Sequence, residues 1–296
     1  HKVTILEREN FPGGRNGIIK QDGFAFDNGP TVLTMPSLIE ELFTTLGEKM
    51  VDWLDLHPLN PVYRTYHYDG SQIDIYSNPK EMAQEIENKS SGIEAKGYEN
   101  FINFCEKLYK YEMNDFIDRN IDTPINLITP NLFRLIKIGG FTRLANKVSK
   151  YFKDHRLQKA FSFQAMYAGV SPQDALSIYA VISYMDCVAG VYFPKGGMHA
   201  VPRALAEVAI KHGVEIKYNC EVVDFNKSQN RIVSANLKSG AKIAGDVFIL
   251  NPDLPYAYQN ILKEQKPRLD KLKYSPSCVV LLLGATKDFP DKTHHN

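Results

Sequence analysis

The residues best able to do chemistry gather near the start of the chain. Glu7 ends the run Lys2-Val3-Thr4-Ile5-Leu6, rich in apolar and β-branched side chains. The second strand of a dinucleotide-binding βαβ unit finishes in this way, its acid hydrogen-bonding a ribose. Gly13-Gly14-Arg15 follows. Two glycines let backbone N–H groups approach a phosphate with no Cβ in the way, and a guanidinium adds paired donors. Next comes Gly23-Phe24-Ala25-Phe26-Asp27-Asn28-Gly29-Pro30, a short strand breaking into a turn. Plainer readings stand beside these. Glu7 can be a solvated strand-end acid, Arg15 a surface cation, and Asp27 a turn cap.

A second block is Tyr192-Phe193-Pro194-Lys195-Gly196-Gly197-Met198, which leads into a helix containing Ala204-Leu205-Ala206. Two glycines ahead of a helix present its N-terminus, whose partial positive charge suits an electron-rich group. The plainer reading is an ordinary helix start. No Gly-x-Ser-x-Gly or His-x-x-x-His is present, and His57, His67, His155, His199 and His212 lack metal-ligand spacing. Hydrolytic and metal chemistry therefore have no support.

Several elements must position these blocks. Residues 3–7 read as a strand. Leu38, Ile39, Leu42, Phe43 and Leu46 recur at helical spacing between Ser37 and Gly47. Residues 62–68 and 73–76 alternate around Asp69-Gly70 and predict a hairpin. Residues 79–160 read as helices, interrupted near Thr123-Pro124 and Thr129-Pro130. The spacing predicts a helix over 199–212, stopped by Gly213. Strands are expected at 214–218, 221–225, 231–237, 246–250 and 278–284.

Composition sets outer bounds. A chain of 296 residues with 44 % apolar content can bury a large core and spans about two domains. The formal net charge of +1 offers nucleic acid no global attraction. Cys105, Cys187, Cys220 and Cys278 have neither metal nor redox-motif spacing, which fits buried thiols in a reducing, cytoplasmic setting. No apolar stretch reaches the roughly 18 residues of a membrane span.

The string from Glu7 to Pro36 resembles the flavin-binding start of phytoene desaturases, the bacterial and fungal carotenoid desaturases. The block from Tyr192 to Met198 is similar to a second block of that family, and the resemblance runs through essentially the whole chain. It implies an α/β fold: a Rossmann-like FAD-binding domain of the amine-oxidase type with an inserted α+β substrate domain. The FAD domain is expected at 1–60 and 190–260, the substrate domain at 61–189, and a return into it from 261 to 296. Relative to the family, the chain is expected to be a fragment. It opens at His1 and lacks the first strand, the Gly-x-Gly-x-x-Gly turn and the C-terminal third.

The resemblance also implies roles. Glu7 would accept from the ribose hydroxyls of FAD, and Arg15 would face the pyrophosphate or the ribityl chain. Asp27, Gly29 and Pro30 would form a flavin-proximal turn. Val222 would pair its backbone with adenine, and Asn251 would lie where a strand passes into a loop over the FAD. Tyr192, Gly196, Gly197 and Met198 would stand on the substrate side. The implied substrate is a linear carotenoid precursor, dehydrogenated by hydride transfer to the flavin. Such chemistry needs little from protein acids, although Tyr184 and Asp186 could assist proton loss. A carotenoid oxygenase or isomerase, a non-catalytic prenyl-binding escort and an amine oxidase share the architecture.

The segment that starts at Phe133 and ends at Phe161 sets eight Lys and Arg residues against one acid, Asp154, with apolar residues interleaved. A basic amphipathic helix of this kind lies on an anionic membrane surface or packs on its own domain. With a substrate that lives in lipid, the first reading predicts peripheral membrane association.

Overall fold

The computed structural model describes residues 1–296 except 230, 273, 275 and 276. Named in chain order, the elements are β1 (Thr4–Leu6), β2 (Ile18–Gln21), β3 (Phe24–Asp27), α1 (Pro36–Thr45), β4 (Leu56–Pro58), β5 (Tyr63–Tyr66), β6 (Gln72–Ile75), α2 (Pro79–Lys89) and α3 (Gly92–Glu112). Then follow α4 (Pro130–Lys137), α5 (Leu144–Tyr151), α6 (His155–Ala160), α7 (Ala180–Cys187), β7 (Tyr192–Pro194), α8 (Ala200–Lys211), β8 (Glu215–Lys217), β9 (Val222–Ser228), β10 (Arg231–Leu237) and β11 (Lys242–Ala244). The chain divides into two compact units. One comprises His1–Thr31, Glu40–Asp55 and Pro194–Tyr274, the other Val32–Ile39, Leu56–Phe193 and Ser275–Asn296.

In the first unit β1 runs parallel to β8, Ile5 beside Ile216. A parallel pair needs a long crossover, and here more than two hundred residues separate the partners. β2 and β3 form a hairpin closed by Asp22-Gly23, both at positive φ. β10 sits between β9 and β11 in an antiparallel sheet. Asn226 and Asn236 cross-link it, Asn226 Nδ2 donating to Asn236 Oδ1 at 2.8 Å.

The second unit is mainly helical, and its caps are local. Asn78 Oδ1 accepts from Lys80 N at 2.9 Å ahead of Pro79 in the first turn of α2. Thr129 Oγ1 accepts from Leu132 N at 3.2 Å, so Thr129-Pro130 starts α4 as well as ending what precedes it. Phe101, Phe152 and Phe161 are fully buried in the core. Phe152 stacks on Phe161 at 5.2 Å between centroids, with the Phe101 ring 5.5 Å from Phe152. The buried Glu94 carboxylate holds the turn before α6, accepting from Lys153 N at 3.0 Å and Asp154 N at 3.2 Å. Two other buried acids lack such donors. Among the described residues Glu112 Oε1 and Asp186 Oδ2 accept no hydrogen bond, and burial pushes the carboxyls up to about 8 and, against a hydrogen bond from Tyr167, about 7.

Three expectations fail. Residues 246–250 and 278–284 are not strands. They are apolar but stay outside any sheet, with Val247 and Ile249 80 % and 90 % exposed. β-propensity supplies side chains that suit a pleated surface, yet a strand also needs a hydrogen-bonded neighbour. Among the described residues neither run has one. Residues 133–161 are not one amphipathic helix. The chain turns at Gly139-Gly140 and again after Tyr151, giving α4, α5 and α6. Leu135, Leu144, Val148, Phe152, Leu157 and Phe161 belong to the core, while Phe133, Ile136 and Phe141 are exposed. No helix is long and apolar enough to cross a membrane among the described residues.

Candidate nucleotide-binding site

The first unit gathers most of the residues singled out from sequence. Its β1–β8 pair fixes Glu7, whose N–H donates to Lys217 O at 2.9 Å. Beyond the strands the contact continues. Cys220 N donates to Glu7 O at 2.7 Å and Asn219 N to Glu9 O at 3.0 Å. The start of β9, and with it Val222, is thereby tied to the strand-end acid through the short link that follows β8. The Glu7 carboxylate is half-buried. Its Oε1 accepts from Glu9 N at 2.8 Å, and no cation faces it among the described residues. The other carboxylate oxygen is left as an acceptor. Tyr218 lies close by, its phenol pushed up first by burial and then by the Glu7 charge.

The Gly13-Gly14-Arg15 turn closes with Asn16 N donating to Gly13 O at 2.8 Å. Both glycines have positive φ. Gly14 faces open space, with nothing within 4 Å of where a Cβ would stand. Arg15 reaches out to Asp253 in an exposed ion pair, an interaction of little net strength that a competing anion can replace. Asp253 lies two residues after Asn251, so the loop holding Asn251 is brought to Arg15 even though no strand precedes it.

Asp27 and the block around Gly197 meet directly. Asp27 Oδ2 accepts from Met198 N at 2.8 Å, and Oδ1 accepts from His199 N at 3.0 Å. These are the amides just ahead of α8, where unpaired donors concentrate. Asp27 occupies the donors leading into this helix, and Gly196-Gly197 lie in the turn before it. A Cβ on Gly197 (φ +93°) would sit 2.7 Å from Asp27 Oδ2. Gly29 is a close approach of another kind, since a Cβ there would run into the backbone oxygen of Arg15. Pro30 is exposed beside it. His199 Nε2 donates to Pro12 O at 2.9 Å, and the Phe11 ring meets the imidazole edge-on at 5.6 Å. Tyr192 belongs to the second unit, its N–H donating to Leu33 O at 2.8 Å.

One residue was missed from sequence. Asn16 donates through Nδ2 to Met198 O at 3.2 Å, while its Oδ1 is buried with no donor. A buried carbonyl without a partner costs about 1–3 kcal/mol, so this atom points to a group that completes the site. Only its place after Gly-Gly-Arg hints at this. A nucleotide with ribose hydroxyls and phosphates suits this set: an acceptor at Glu7, backbone donors at an open glycine turn, a replaceable Arg15 pair and an unfilled acceptor at Asn16. Among the described residues no group of three His, Cys, Asp or Glu could hold a metal.

Comparison with known proteins gives the same picture. The chain is 45 % identical over 294 residues to a phytoene dehydrogenase of Streptomyces griseus, covering 99 % of this chain and 58 % of that protein. It is 33 % identical over 298 residues to a zeta-carotene-forming phytoene desaturase of Myxococcus xanthus, covering 99 % and 57 %. The chain thus spans somewhat more than half the length of these relatives. A redesigned putrescine oxidase of solved structure superposes with a TM-score of 0.52 at 12 % identity, over 91 % of this chain and 56 % of that one, which shows a shared fold. The family model described as flavin containing amine oxidoreductase matches residues 1–295. It takes in the strand-end acid, the glycine turn and the Asp27 clamp together, and the chain belongs to that family.

Proposed function

We propose that the protein is an FAD-dependent carotenoid desaturase, introducing C=C bonds into a linear polyene of the phytoene or diapophytoene class. What supports the reading is the tie between Glu7 and the chain entering β9, with an open glycine at Gly14 in the same unit, in a chain whose relatives bear phytoene dehydrogenase and desaturase names.

When bound, FAD supplies the acceptor for the hydride removed as each C–C bond becomes C=C, the proton passing to water. The chain's own residues bind and orient. Glu7 would accept from the ribose hydroxyls, Gly13 and Gly14 would offer backbone amides to the pyrophosphate, and Arg15 would exchange Asp253 for phosphate oxygen. The Val222 backbone would serve adenine, Asn251 the covering loop, and Asn16 Oδ1 would accept from a hydroxyl. Asp27 holds the turn of Gly196, Gly197 and Met198 through the Met198 and His199 amides, and Gly29 and Pro30 would shape the flavin-proximal turn beside Arg15. Tyr192 belongs to the substrate side. Membrane docking is part of the same proposal, because the polyene is delivered from lipid. The apolar side chains available for it are Ile125, Ile128, Phe133, Ile136 and Phe141.

Two measurements test this. Cells given the protein and a colourless linear polyene precursor should develop visible absorption bands at positions reporting the conjugated bonds made. An unchanged pigment spectrum with stable protein present removes the desaturase reading. Glu7→Ala should weaken FAD binding by about 1.5–3 kcal/mol, the worth of hydrogen bonds to a charged acceptor, as read by flavin fluorescence during dialysis. Unaltered retention would take the ribose role from Glu7.

A further inference from the structure

The second unit carries an open groove of about 600 Å³ between α3 and α5. Asn100, Asn103 and Lys107 line it from α3, Lys147 and Lys150 from α5, with Phe104 at its floor. The spacing of the α3 residues puts them on one helix face. No Asp or Glu lines the groove. Lys107 and Lys150 make no ion pair among the described residues.

Lys147 is the fixed member. Its Nζ donates to Ile138 O at 2.7 Å and lies 4.4 Å from the centre of the Phe104 ring. Burial and the neighbouring Lys150 both push its pKa down, the mark of a cation lacking a counter-charge. Three ammonium groups and two carboxamides facing one open space match a phosphate ester: charge for the phosphate and donors for its remaining oxygens. The chain next to the groove explains which phosphate. Ile138 lines it, and the same stretch carries Phe133 at 62 % and Ile136 at 55 % exposure on α4, with Phe141 just beyond. Large apolar side chains exposed beside an open basic groove suit a molecule with a charged head and an apolar tail.

We propose that this groove binds the headgroup phosphate of an anionic phospholipid while Phe133, Ile136 and Phe141 enter the acyl region. The proposal rests on the membrane-docking part of the reading above and adds its lipid class and the residues that select it. It makes docking a choice of lipid through specific lysines, rather than a diffuse attraction of eight basic residues.

The test is co-sedimentation of the protein with phosphatidylcholine vesicles, with and without phosphatidylglycerol. Phosphatidylglycerol should strengthen binding, and Lys107→Gln with Lys150→Gln should remove that gain, about fivefold per lysine and about 25-fold for the pair. Lys147 is left intact because it also supports the fold. Asn100→Asp with Asn103→Asp, on an exposed helix face, should abolish the phosphatidylglycerol preference while leaving the far-ultraviolet circular dichroism unchanged. Phe133→Ser with Ile136→Ser separates the two readings. If it releases the protein from all vesicles while both groove variants keep their full preference, docking stands and the headgroup site is overturned. Inorganic phosphate or an oligonucleotide that binds the groove in place of vesicles overturns it as well.

Discussion

Raising the pH from about 5 to about 8 is expected to destabilise the second unit by on the order of 6 kcal/mol, and Glu112→Gln should remove somewhat more than half of that slope. The Glu112 carboxyl stands at about 8 in the folded protein against an ordinary 4.5, because it is buried at the end of α3 and one oxygen has no donor. Across that window the native state keeps a proton that the unfolded chain has released. Stability therefore declines as pH rises and levels off above the folded value. Asp186, raised to about 7 by burial, adds the same sign over a lower range. Asp154 acts oppositely. Hydrogen bonds from Arg156 hold its carboxyl well below the usual range, so its contribution is present above about pH 4 and lost in acid. Urea midpoints across this range read the balance. The buried Gln amide costs the same at every pH, so the slope is diagnostic. A slope unchanged in Glu112→Gln would show that this acid is solvated.

Asp27→Ala should be the most damaging single change in the first unit, lowering stability by about 2–4 kcal/mol. It removes two charge-assisted hydrogen bonds and leaves the Met198 and His199 amides without acceptors. Asp27→Asn keeps one acceptor oxygen and should cost about half as much. Thermal unfolding separates the three proteins. If the carboxylate acts by positioning the turn, FAD retention should follow the same order. A stable Asp27→Ala that has lost only its flavin would reverse this assignment and make Asp27 a direct ligand.

Local chemistry was legible in the sequence wherever one short segment contained both the signal and its answer. The spacing of Leu38, Phe43 and Leu46 predicts α1, and Asp69-Gly70 predicts the β5–β6 hairpin. Gly213 marks the end of α8, and the alternation after Arg231 gives β10. Glu7 and the glycine turn read as a nucleotide motif for the same reason. What was not legible is which distant group each side chain meets. Asp27 is a turn acid on paper, and only folding shows its oxygens on the amides of Met198 and His199. The runs at 246–250 and 278–284 have strand composition, but a strand is a pairing and composition names no partner. In 133–161 the apolar residues look alike. Gly139-Gly140 breaks the helix that would have aligned them, and packing then sends Leu144 and Phe152 inward while Phe133 stays out.

The Asp27 clamp also sets an order of assembly. Its two ends are 171 and 172 residues apart. At about 5–20 residues per second, the acceptor waits on the order of ten to thirty seconds on the ribosome for its donors. Every fully buried member of the core around Phe101, by contrast, lies between Val62 and Val191. All of that core is synthesised before Met198 is. Protease added to a released chain truncated after residue 195 should cut within the first thirty residues and spare the stretch from 62 onward.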